Sequence, residues 1–417
     1  MPYPLLDGGA FSLYYTALGL LSQKTDLKIL AINTPKDWVS PDELPADFIE
    51  KTRFEFSVVD TRFRFSRAFL NLFTKGSYFV ERFFSEKFRA GLIKILQEEV
   101  FEIIQLEHVY LCLYLETIRK YSKAKVVLRP QNVENQVWNR YLKIKMNPAT
   151  RAFLFIATSR LKRFETEMAR KVDGIIAISP GDERLFRSYA PETPGVSVPI
   201  GFDFRNAGFY DEHRSLGRFP VFYHLGSMDW FPNNQGLKWF IEEVLPFVIK
   251  ENPEFVLRIA GKKMPAWFYK RQSENLIVDG EVGDSLKYQE DKAILIVPLL
   301  SGGGLRAKII EAMALGKTIL STTIGAEGIP YTDQENILIA DSKEEFAIQI
   351  KQCMNSEEVC RKTGRSAREL AIKNYDCNHT ASQMIQFYHG LVMDLFVLYR
   401  DHPDPLDRYT GDDNPAA

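Results

Sequence analysis

The sequence lacks several features that would narrow its class at once. Four cysteines in 417 residues, with no CxxC pair, give no sign of a disulfide framework or a structural zinc site and fit a reducing compartment. A net charge of -1 provides no overall attraction to nucleic acid. No apolar run is long enough to cross a bilayer, and the first residues do not resemble a signal peptide. These absences predict a cytoplasmic protein without a nucleic-acid partner.

What is present is an ordinary globular composition, with 45% hydrophobic and 26% charged residues. A chain of 417 residues is long enough for two domains of roughly 200 residues each. Short apolar runs alternate with helical segments, which predicts an α/β fold with mostly parallel sheets. A Pro- and Gly-rich stretch at 188–204 predicts a hinge. We therefore expect domains at 1–200 and 201–384, with a disordered tail at 401–417.

The predicted strands are apolar runs of three to six residues. In the first domain they are Lys28–Asn33, Phe54–Val59, Phe101–Leu106, Lys125–Leu128 and Gly174–Ile178; in the second they are Val221–Leu225, Val256–Ala260, Leu276–Val278 and Ile294–Val297. The chain opens on a Pro/Gly turn through Gly8 and Gly9 and a predicted helix at Phe11–Leu21. A doubly wound domain begins with a strand, so we expect that first strand to be missing. The alternative is a domain that naturally lacks it.

The most informative stretch runs from Ile294 to Gly328. A strand ends at Pro298, Ser301 and three glycines follow, and a helical segment begins at Leu305. Glycines at a strand-to-helix turn leave backbone amides free at the positive end of a helix, which suits an anion. Arg306 and Lys308 are expected in the first helical turn, where a bound phosphate would make them favourable. The alternative is that both are surface residues and that Lys308 pairs with Glu311.

This glycine-rich sequence differs from a Walker loop, because no lysine and Ser/Thr pair follows the last glycine, so a nucleoside triphosphatase is not favoured. Other strand ends of the second domain carry Gly226, Ser227 and Lys262. With Arg306 and Lys308, Lys262 would make three positive charges facing one crevice, enough to balance a nucleoside diphosphate. Asn233 or Asn234 is expected to cap the helix that follows Ser227.

In the first domain, the strand at Phe101–Leu106 leads into Glu107 and His108, at the sheet edge where open α/β sheets bind ligands. We predict Glu107 as an active-site residue and His108 as a weaker candidate; the alternative is a salt bridge at the strand end. Asn132 and Glu134 follow the next strand. Both suit a helix start structurally, as cap and first-turn acid, and this does not exclude a role on the acceptor side.

The segment 62–89 is dense in phenylalanine interleaved with arginine and lysine. Basic amphipathic stretches of this kind can lie at a membrane interface and attract anionic lipid. They can equally be helices whose phenylalanines are core and whose arginines are solvated. The first interpretation predicts peripheral contact with the cytoplasmic face of the inner membrane.

Three co-linear stretches carry a resemblance to a known family. They are VVLRPQNVENQVWNR from Val126, FYHLGSMDWFPNNQGLKWFIEEVLP from Phe222 and SGGGLRAKIIEAMALGKTILSTTIGAEGI from Ser301. Together they resemble the retaining glycosyltransferases of GT-B architecture, in the large family 4-like group that includes bacterial mannosyl- and glucosyltransferases. The resemblance implies two doubly wound Rossmann-like domains facing across a cleft, with a C-terminal helix (385–400) crossing back to the first domain. It also implies transfer of a hexose from a UDP- or GDP-sugar to a glycan or lipid-linked acceptor, as in polysaccharide biosynthesis.

The resemblance assigns roles to individual residues. Glu107, Arg306 and Lys308 are implied as catalytic, with the two cations stabilising the leaving diphosphate and Glu311 contacting the donor ribose. Asn132, Glu134 and His108 are implied on the acceptor side. The implied nucleotide-sugar contacts are Gly8, Gly9, Gly226, Ser227, Lys262, Ser301, Gly302, Gly303, Gly304, Leu305, Arg306, Lys308 and Glu311. We expect no metal, since no Asp-x-Asp lies at a strand end, and no cofactor other than the sugar nucleotide.

The sequence departs from the family pattern at four positions. Many members carry a second glutamate where this chain has Gly303, and histidines where it has Gln105, Glu107 and Gln131. Glu327 either faces the crevice or caps a turn. Two alternatives therefore stay open: a non-catalytic protein that binds nucleotide sugars, and a sugar-nucleotide epimerase.

Overall fold

The structure is a computed structural model that describes residues 1–5, 8–35, 37–142, 147–204 and 217–393. Its three sheets contain only parallel strand pairs within the described ranges. This confirms the predicted α/β class. No helix in the described part of the chain has the length and apolar character needed to cross a bilayer.

The N-terminal unit has two separate sheets. A two-stranded sheet pairs β1 (Leu30–Asn33) with β2 (Glu55–Val58), and a four-stranded sheet has the order β3 (Ile103–Leu106), β4 (Lys125–Leu128), β5 (Gly174–Ala177), β6 (Gly195–Ser197). The predicted strands lie within two residues of these bounds. Strand β5 is buried throughout, whereas β1 and β3 are mostly half-buried. The absent first strand stays a prediction.

Nine α-helices surround these sheets in the described residues. They are α1 (Gly8–Ser22), α2 (Ala46–Lys51), α3 (Phe65–Asn71), α4 (Tyr78–Glu81), α5 (Glu86–Glu98), α6 (Leu115–Tyr121), α7 (Glu134–Tyr141), α8 (Pro148–Lys171) and α9 (Pro180–Tyr189). The predicted turn at Gly8 and Gly9 is wrong, because α1 already begins at Gly8. Gly8 lies against Ala307, since a Cβ added to it would be in ordinary contact with the Ala307 side chain at 3.5 Å.

The C-terminal unit is built on one six-stranded sheet. Its strands are β7 (Arg218–Leu225), β8 (Leu257–Ala260), β9 (Leu276–Gly280), β10 (Lys292–Val297), β11 (Thr318–Ser321) and β12 (Leu338–Ile339), arranged β12-β11-β10-β7-β8-β9. The chain order reverses between β7 and β10. Open α/β sheets bind ligands beyond the carboxyl ends of the strands at such a reversal. The fold therefore predicts a ligand site at the turns that follow β7 and β10.

Helices cover both faces of this sheet. They are α10 (Phe231–Trp239), α11 (Leu245–Glu251), α12 (Ala266–Tyr269), α13 (Ser285–Glu290), α14 (Ala307–Ala314), α15 (Lys343–Asn355) and α16 (Glu357–Tyr375); α17 (Cys377–Val392) follows them in the chain. A π turn at Phe240–Val244 joins α10 to α11. Pro246 has no N–H to donate to the preceding turn, which explains why the regular helical ladder is interrupted there.

Helix α17 packs on the N-terminal unit although it follows the C-terminal one. Its apolar side chains form one core cluster with Leu20 of α1, Val127 of β4, Ile176 of β5 and Val198; the α17 members are Ala381, Met384, Phe387, Tyr388 and Leu391. The predicted returning segment (385–400) lies partly within this helix. Residues 394–417, which include the predicted tail, lie outside the described residues, and the domain boundaries stay a prediction.

Candidate active site

The glycine loop between β10 and α14 forms the centre of the site. Gly302 and Gly304 have φ angles of +119° and +77°, a region that side-chain-bearing residues rarely adopt. Arg306 follows and donates from Nη1 to the carbonyl oxygens of Gly303 and Gly304. Its guanidinium lies 5.3 Å from the centre of the Trp230 ring. The loop is thus held in shape by the side chain that ends it.

Arg306 is placed differently from the prediction. Helix α14 begins at Ala307, so Arg306 is its N-cap residue rather than part of the first turn, because its backbone is extended at φ -94° and ψ 99°. The side chain is buried, and burial lowers the pKa of its guanidinium to about 10. Its Nε has no hydrogen-bond partner in the described structure. An anion at the loop would offset the loss of solvation.

Lys308, in the first turn of α14, reaches across to the turn after β7. Its Nζ donates to Asn233 Oδ1 at 2.8 Å and lies 3.3 Å from His224 Nε2. The predicted alternative pairing with Glu311 is wrong, since the ammonium points to Asn233 instead. Burial, reinforced by the neighbouring Arg306 charge, lowers the pKa of Lys308 to about 7. The site therefore holds a cation whose described hydrogen-bond partners are neutral.

Sequence reasoning missed His224. It is fully buried in β7, and its Nδ1 lies 2.8 Å from the carbonyl oxygen of Ile296 in β10. Nδ1–H donation to that oxygen leaves Nε2 as the acceptor for Lys308. Burial, and next the charge of Lys308, hold the pKa of His224 well below its usual range, so the imidazole is neutral. A lone histidine inside an apolar strand was the only available signal.

Two glycine turns approach each other beside Lys308. A Cβ on Gly261 would overlap the Gly226 carbonyl oxygen, and a Cβ on Gly226 would lie 2.5 Å from Lys308 Nζ. Ser227 Oγ donates to Asp229, and the Lys262 carbonyl accepts from Met228 N. The predicted residues Gly226, Ser227 and Lys262 therefore lie at one sheet edge with Lys308.

The predicted asparagine cap at α10 is wrong. Trp230 is the N-cap residue and makes no side-chain cap bond, because its indole N–H can only donate and the free groups at a helix start are themselves donors. Asn233 is buried inside the helix, where its Nδ2 donates to the Ser227 carbonyl and its Oδ1 accepts from Lys308. Its role is to connect the turn after β7 with α14.

Glu311 lies one turn further along α14 and is buried. Its Oε2 accepts from Gln289 Nε2 at 3.0 Å. Burial raises the pKa of this carboxyl to about 7, against the opposing effects of Gln289 and Ser285. The predicted ribose contact is therefore a buried acid close to the cationic centre. Ser301 is also tied in place, since its Oγ donates to Gln235.

Glu107 forms the centre of a polar cluster in the N-terminal unit. Its Oε1 accepts from Gln105, and its Oε2 accepts from Gln131 at 2.8 Å and pairs with Arg129 Nη1 at 3.3 Å. The strand-end salt bridge considered from the sequence is therefore present. Arg129 is completely buried, also donates to Ser12, and leaves Nε and Nη2 without a partner among the described residues. A catalytic role for Glu107 stays a prediction.

Asn132 links this cluster to the glycine loop. It follows Gln131 directly, and its Oδ1 lies 2.6 Å from the position that a Cβ on Gly304 would occupy. The Glu107 cluster and the glycine loop are thus joined by one short segment. His108, the weaker candidate, lies beside the Tyr110 ring with centroids 6.0 Å apart.

The predicted cap of α7 is wrong. Its N-cap residue is Val133, with no side-chain cap bond, and Asn132 lies before it. The carboxylate of Glu165 on α8 accepts instead from the backbone amides of Glu134 and Asn135. Glu134 turns inward, accepts from the Tyr110 hydroxyl at 2.6 Å, and has a pKa raised by burial. Glu134 is therefore a half-buried acid held by Tyr110, and its role on the acceptor side stays a prediction.

Arg140 is a second residue that sequence reasoning missed. It forms a two-pronged pair with Glu327, with both N–O distances at 3.2 Å, across the two units. A Cβ on Gly303 would lie 3.0 Å from its Nη1. The guanidinium thus lies beside the loop position where family members often carry a glutamate. Of the two possibilities left open for Glu327, the structure favours the one facing the crevice.

The described residues contain no group of three or more His, Cys, Asp or Glu side chains that could hold a metal ion. Metal independence remains a prediction.

These geometric features coincide with matches to known proteins. Residues 219–356 match the family model described as Glycosyl transferases group 1. The C-terminal unit carries a glycosyl transferases group 1 domain. Its matched range contains the turn after β7, the glycine loop, Lys308 and Glu311. The N-terminal unit lies outside that match, so the assignment covers the proposed donor side of the crevice.

A curated relative and several solved structures resemble more of the chain. The relative is an uncharacterized 44.6 kDa protein in the cps region of Klebsiella pneumoniae, 25% identical over 304 residues, which covers 70% of this chain and 75% of the relative. Sucrose-phosphate synthase from Thermosynechococcus elongatus matches with a TM-score of 0.66 at 15% identity, over 93% of each chain.

Two further structures were solved with ligands. Anabaena HepE in complex with UDP-glucose matches with a TM-score of 0.62 at 11% identity, over 94% of this chain and 97% of HepE. S. aureus TarM, in complex with UDP and other ligands, matches with a TM-score of 0.53 at 14% identity, over 72% of this chain. This chain spans only 59% of TarM. Together the structures show the GT-B fold shared with glycosyltransferases.

Proposed function

We propose that this protein transfers a hexose from a UDP- or GDP-sugar to a glycan or lipid-linked acceptor, with retention of configuration, in polysaccharide biosynthesis. The observation that carries the proposal is the cationic centre of the glycosyl transferases group 1 domain. Lys308 is bonded to neutral Asn233 and His224, and Arg306 is bonded to loop carbonyls. Both cations lie at the N-terminus of α14, which favours an anion. HepE, which binds UDP-glucose, and the relative in a cps region support the donor class and the pathway.

In this proposal the diphosphate lies against the glycine loop and Lys308. Negative charge on the leaving diphosphate increases as the glycosidic bond breaks, so contacts from Lys308, Arg306 and the loop amides strengthen in the transition state. Glu311 would accept a hydrogen bond from the ribose. Charge compensation comes from side chains and amides, and we therefore propose that no metal takes part.

The acceptor side would be formed by Glu107, His108 and Asn132, and Arg140 would contact the donor sugar beside Gly303. Glu107 already accepts hydrogen bonds from Gln105, Arg129 and Gln131, so an acceptor hydroxyl would have to share its carboxylate with these three donors. Inversion requires a base on the face opposite the leaving group. This supports retention, with the acceptor approaching on the same face as the diphosphate.

One observation favours a second candidate, a non-catalytic protein that binds nucleotide sugars. Gly303 offers no carboxylate to the sugar, where many family members carry a glutamate. In that case the donor would bind without transfer.

The test is a calorimetric and thermal-shift panel of UDP, GDP, dTDP and their sugars with the full chain. We expect selective binding of one nucleotide, lost in Arg306→Ala and retained in the control Arg361→Ala, a surface arginine paired with Glu357. Release of the nucleoside diphosphate on addition of an acceptor extract would then separate transfer from simple binding. Binding by none of the nucleotides would contradict the proposal.

A further inference from the structure

Helix α3 exposes the side chains that a helix normally buries. Its buried residues are Ala68 and Asn71, and Asn71 Nδ2 donates to Glu81 at 2.7 Å. Phe65, Phe69 and Leu70 are 79%, 52% and 64% exposed. The alternative considered from the sequence, with phenylalanines in the core and arginines outside, is therefore wrong for α3. Contiguous exposed apolar side chains of this kind mark interaction surfaces.

The exposure is concentrated in one region. Five of the seven exposed phenylalanines in the described part of the chain lie between Phe63 and Phe84. Arg160 of α8 donates to the backbone carbonyls of Asn71 and Leu72, at 2.7 and 2.9 Å, and thereby fixes the end of α3 on α8. We define the phenylalanine face as the exposed residues Phe63, Phe65, Phe69, Leu70, Phe73 and Ile156.

Positive charge is concentrated around the same face. Residues 60–89 contain seven basic and three acidic residues, and residues 148–163 contain four basic residues and no acidic one. The whole chain has a net charge of -1. Arg67 and Lys75, on either side of the exposed helix turn, are themselves exposed. The face is thus apolar at its centre and strongly basic around it.

We propose that the phenylalanine face binds the surface of an anionic lipid bilayer. Its apolar side chains would enter the boundary between headgroups and acyl chains, and the surrounding basic side chains would contact lipid phosphates. A second copy of the chain is disfavoured as the occupant, because two faces of the same charge would repel each other. The proposal does not depend on sugar transfer, because the surface is separate from the glycine loop and needs no donor.

The experiment is co-sedimentation of the full chain with phosphatidylcholine vesicles and with vesicles of equal parts phosphatidylcholine and phosphatidylglycerol. We expect binding to the anionic vesicles only, weakened by salt. The double variant Phe65→Ser/Phe69→Ser should lose at least tenfold in vesicle affinity. Arg67→Gln/Lys75→Gln should lose about fivefold for each basic side chain removed.

Matched controls lie on the other unit. Phe247→Ser/Ile348→Ser removes two apolar side chains that are 37% and 64% exposed, and Lys250→Gln/Lys270→Gln removes two exposed charges; both should bind vesicles like the unaltered chain. Unchanged thermal melting of all variants would exclude misfolding. The proposal is overturned if the unaltered chain does not bind anionic vesicles. It is equally overturned if the variants of the phenylalanine face and the control variants have the same affinity for these vesicles. It is also overturned if light scattering shows a dimer that only the Phe65→Ser/Phe69→Ser variant loses.

Discussion

The two halves of the molecule satisfy their buried polar groups to different degrees. In the C-terminal unit, Lys308 is bonded to Asn233 and lies against His224, and Glu311 is bonded to Gln289, all around one continuous sheet. Arg306 leaves one nitrogen, Nε, without a partner in the described structure. In the N-terminal unit the strands form two sheets, and buried Arg129 leaves two nitrogens, Nε and Nη2, without partners among the described residues. Unsatisfied buried donors carry a free-energy cost. Both sides of the crevice therefore retain donors for a ligand, and the acceptor side retains more of them than the preorganised donor side.

The largest effect should come from removing the charge of Lys308. Lys308→Met keeps the length of the side chain but deletes the ammonium beside Gly226, so we expect kcat/KM for the nucleotide sugar to fall about 10²-fold or more. Steady-state kinetics with the donor identified by calorimetry would measure it. Lys287→Met, an exposed lysine on α13, is the control. A loss below threefold would remove Lys308 from the catalytic residues.

A second prediction concerns stability on the acceptor side. Glu107→Gln leaves the buried Arg129 guanidinium without its counter-charge, which should lower the free energy of unfolding by about 2 kcal/mol. Glu327→Gln, which breaks the half-exposed pair with Arg140, should cost less than about 1 kcal/mol. Urea unfolding of both variants makes the comparison. Equal stabilities would mean that Arg129 does not depend on Glu107; lost activity at unchanged stability would favour a catalytic role.

A third prediction compares two adjacent glycines. Gly304→Ala forces a φ of +77° on alanine and places a Cβ 2.6 Å from Asn132 Oδ1. The strain of about 1 to 2 kcal/mol should reduce nucleotide affinity roughly tenfold. Gly303→Ala meets only the flexible end of Arg140 and should change affinity less than twofold. Calorimetry on both variants is the measurement; equal losses would show that the loop does not need its left-handed residue.

The smallest expected effect is the uptake of protons when the nucleotide binds. The pKa of Lys308 is lowered to about 7, so above this pH the free Lys308 amine is largely neutral, and a bound anion would favour its protonation. We expect proton uptake on binding at pH 8, and affinity that falls as pH rises. For the same reason the unfolded chain binds more protons than the folded one between about pH 7 and the ordinary lysine pKa, so this group adds stability as pH rises there.

Calorimetry of nucleotide binding in two buffers of different ionisation enthalpy would measure the proton count. Lys308→Met should abolish most of the uptake. Uptake that persists in that variant would assign it to another group, with Glu311 the nearest candidate, because burial raises its pKa to about 7.

Features carried by consecutive residues could be predicted from the sequence. The strand, glycine turn and helix around Ser301–Gly304 depend on local spacing, and the strands of both units lie close to their predicted bounds. The C-terminal fold was therefore accessible to pattern reasoning. The helix starts near Arg306 and Gly8 were predicted one to three residues away from where the structure has them. Helix ends depend on packing rather than on composition.

Contacts between distant residues could not be predicted. His224 lies 84 residues before Lys308, and Glu165 supplies the carboxylate for the start of α7 from 31 residues away. Sequence reasoning assigned caps to Asn132 and Asn233 because it considered only nearby side chains. The exposure of the phenylalanines of α3 also needed the structure, because the same pattern of Phe and Arg is compatible with buried or exposed phenylalanines.

The return of α17 to the N-terminal unit has a consequence for how the protein is made. Met384, Phe387, Tyr388 and Leu391 complete a core whose other members lie in α1, β4, β5 and at Val198. During synthesis the first unit leaves the ribosome with that surface uncovered, and it stays so until the segment through Val392 has emerged. The nascent chain therefore exposes an apolar surface throughout translation of the glycosyltransferase domain, which makes the first unit a client for chaperones during that interval.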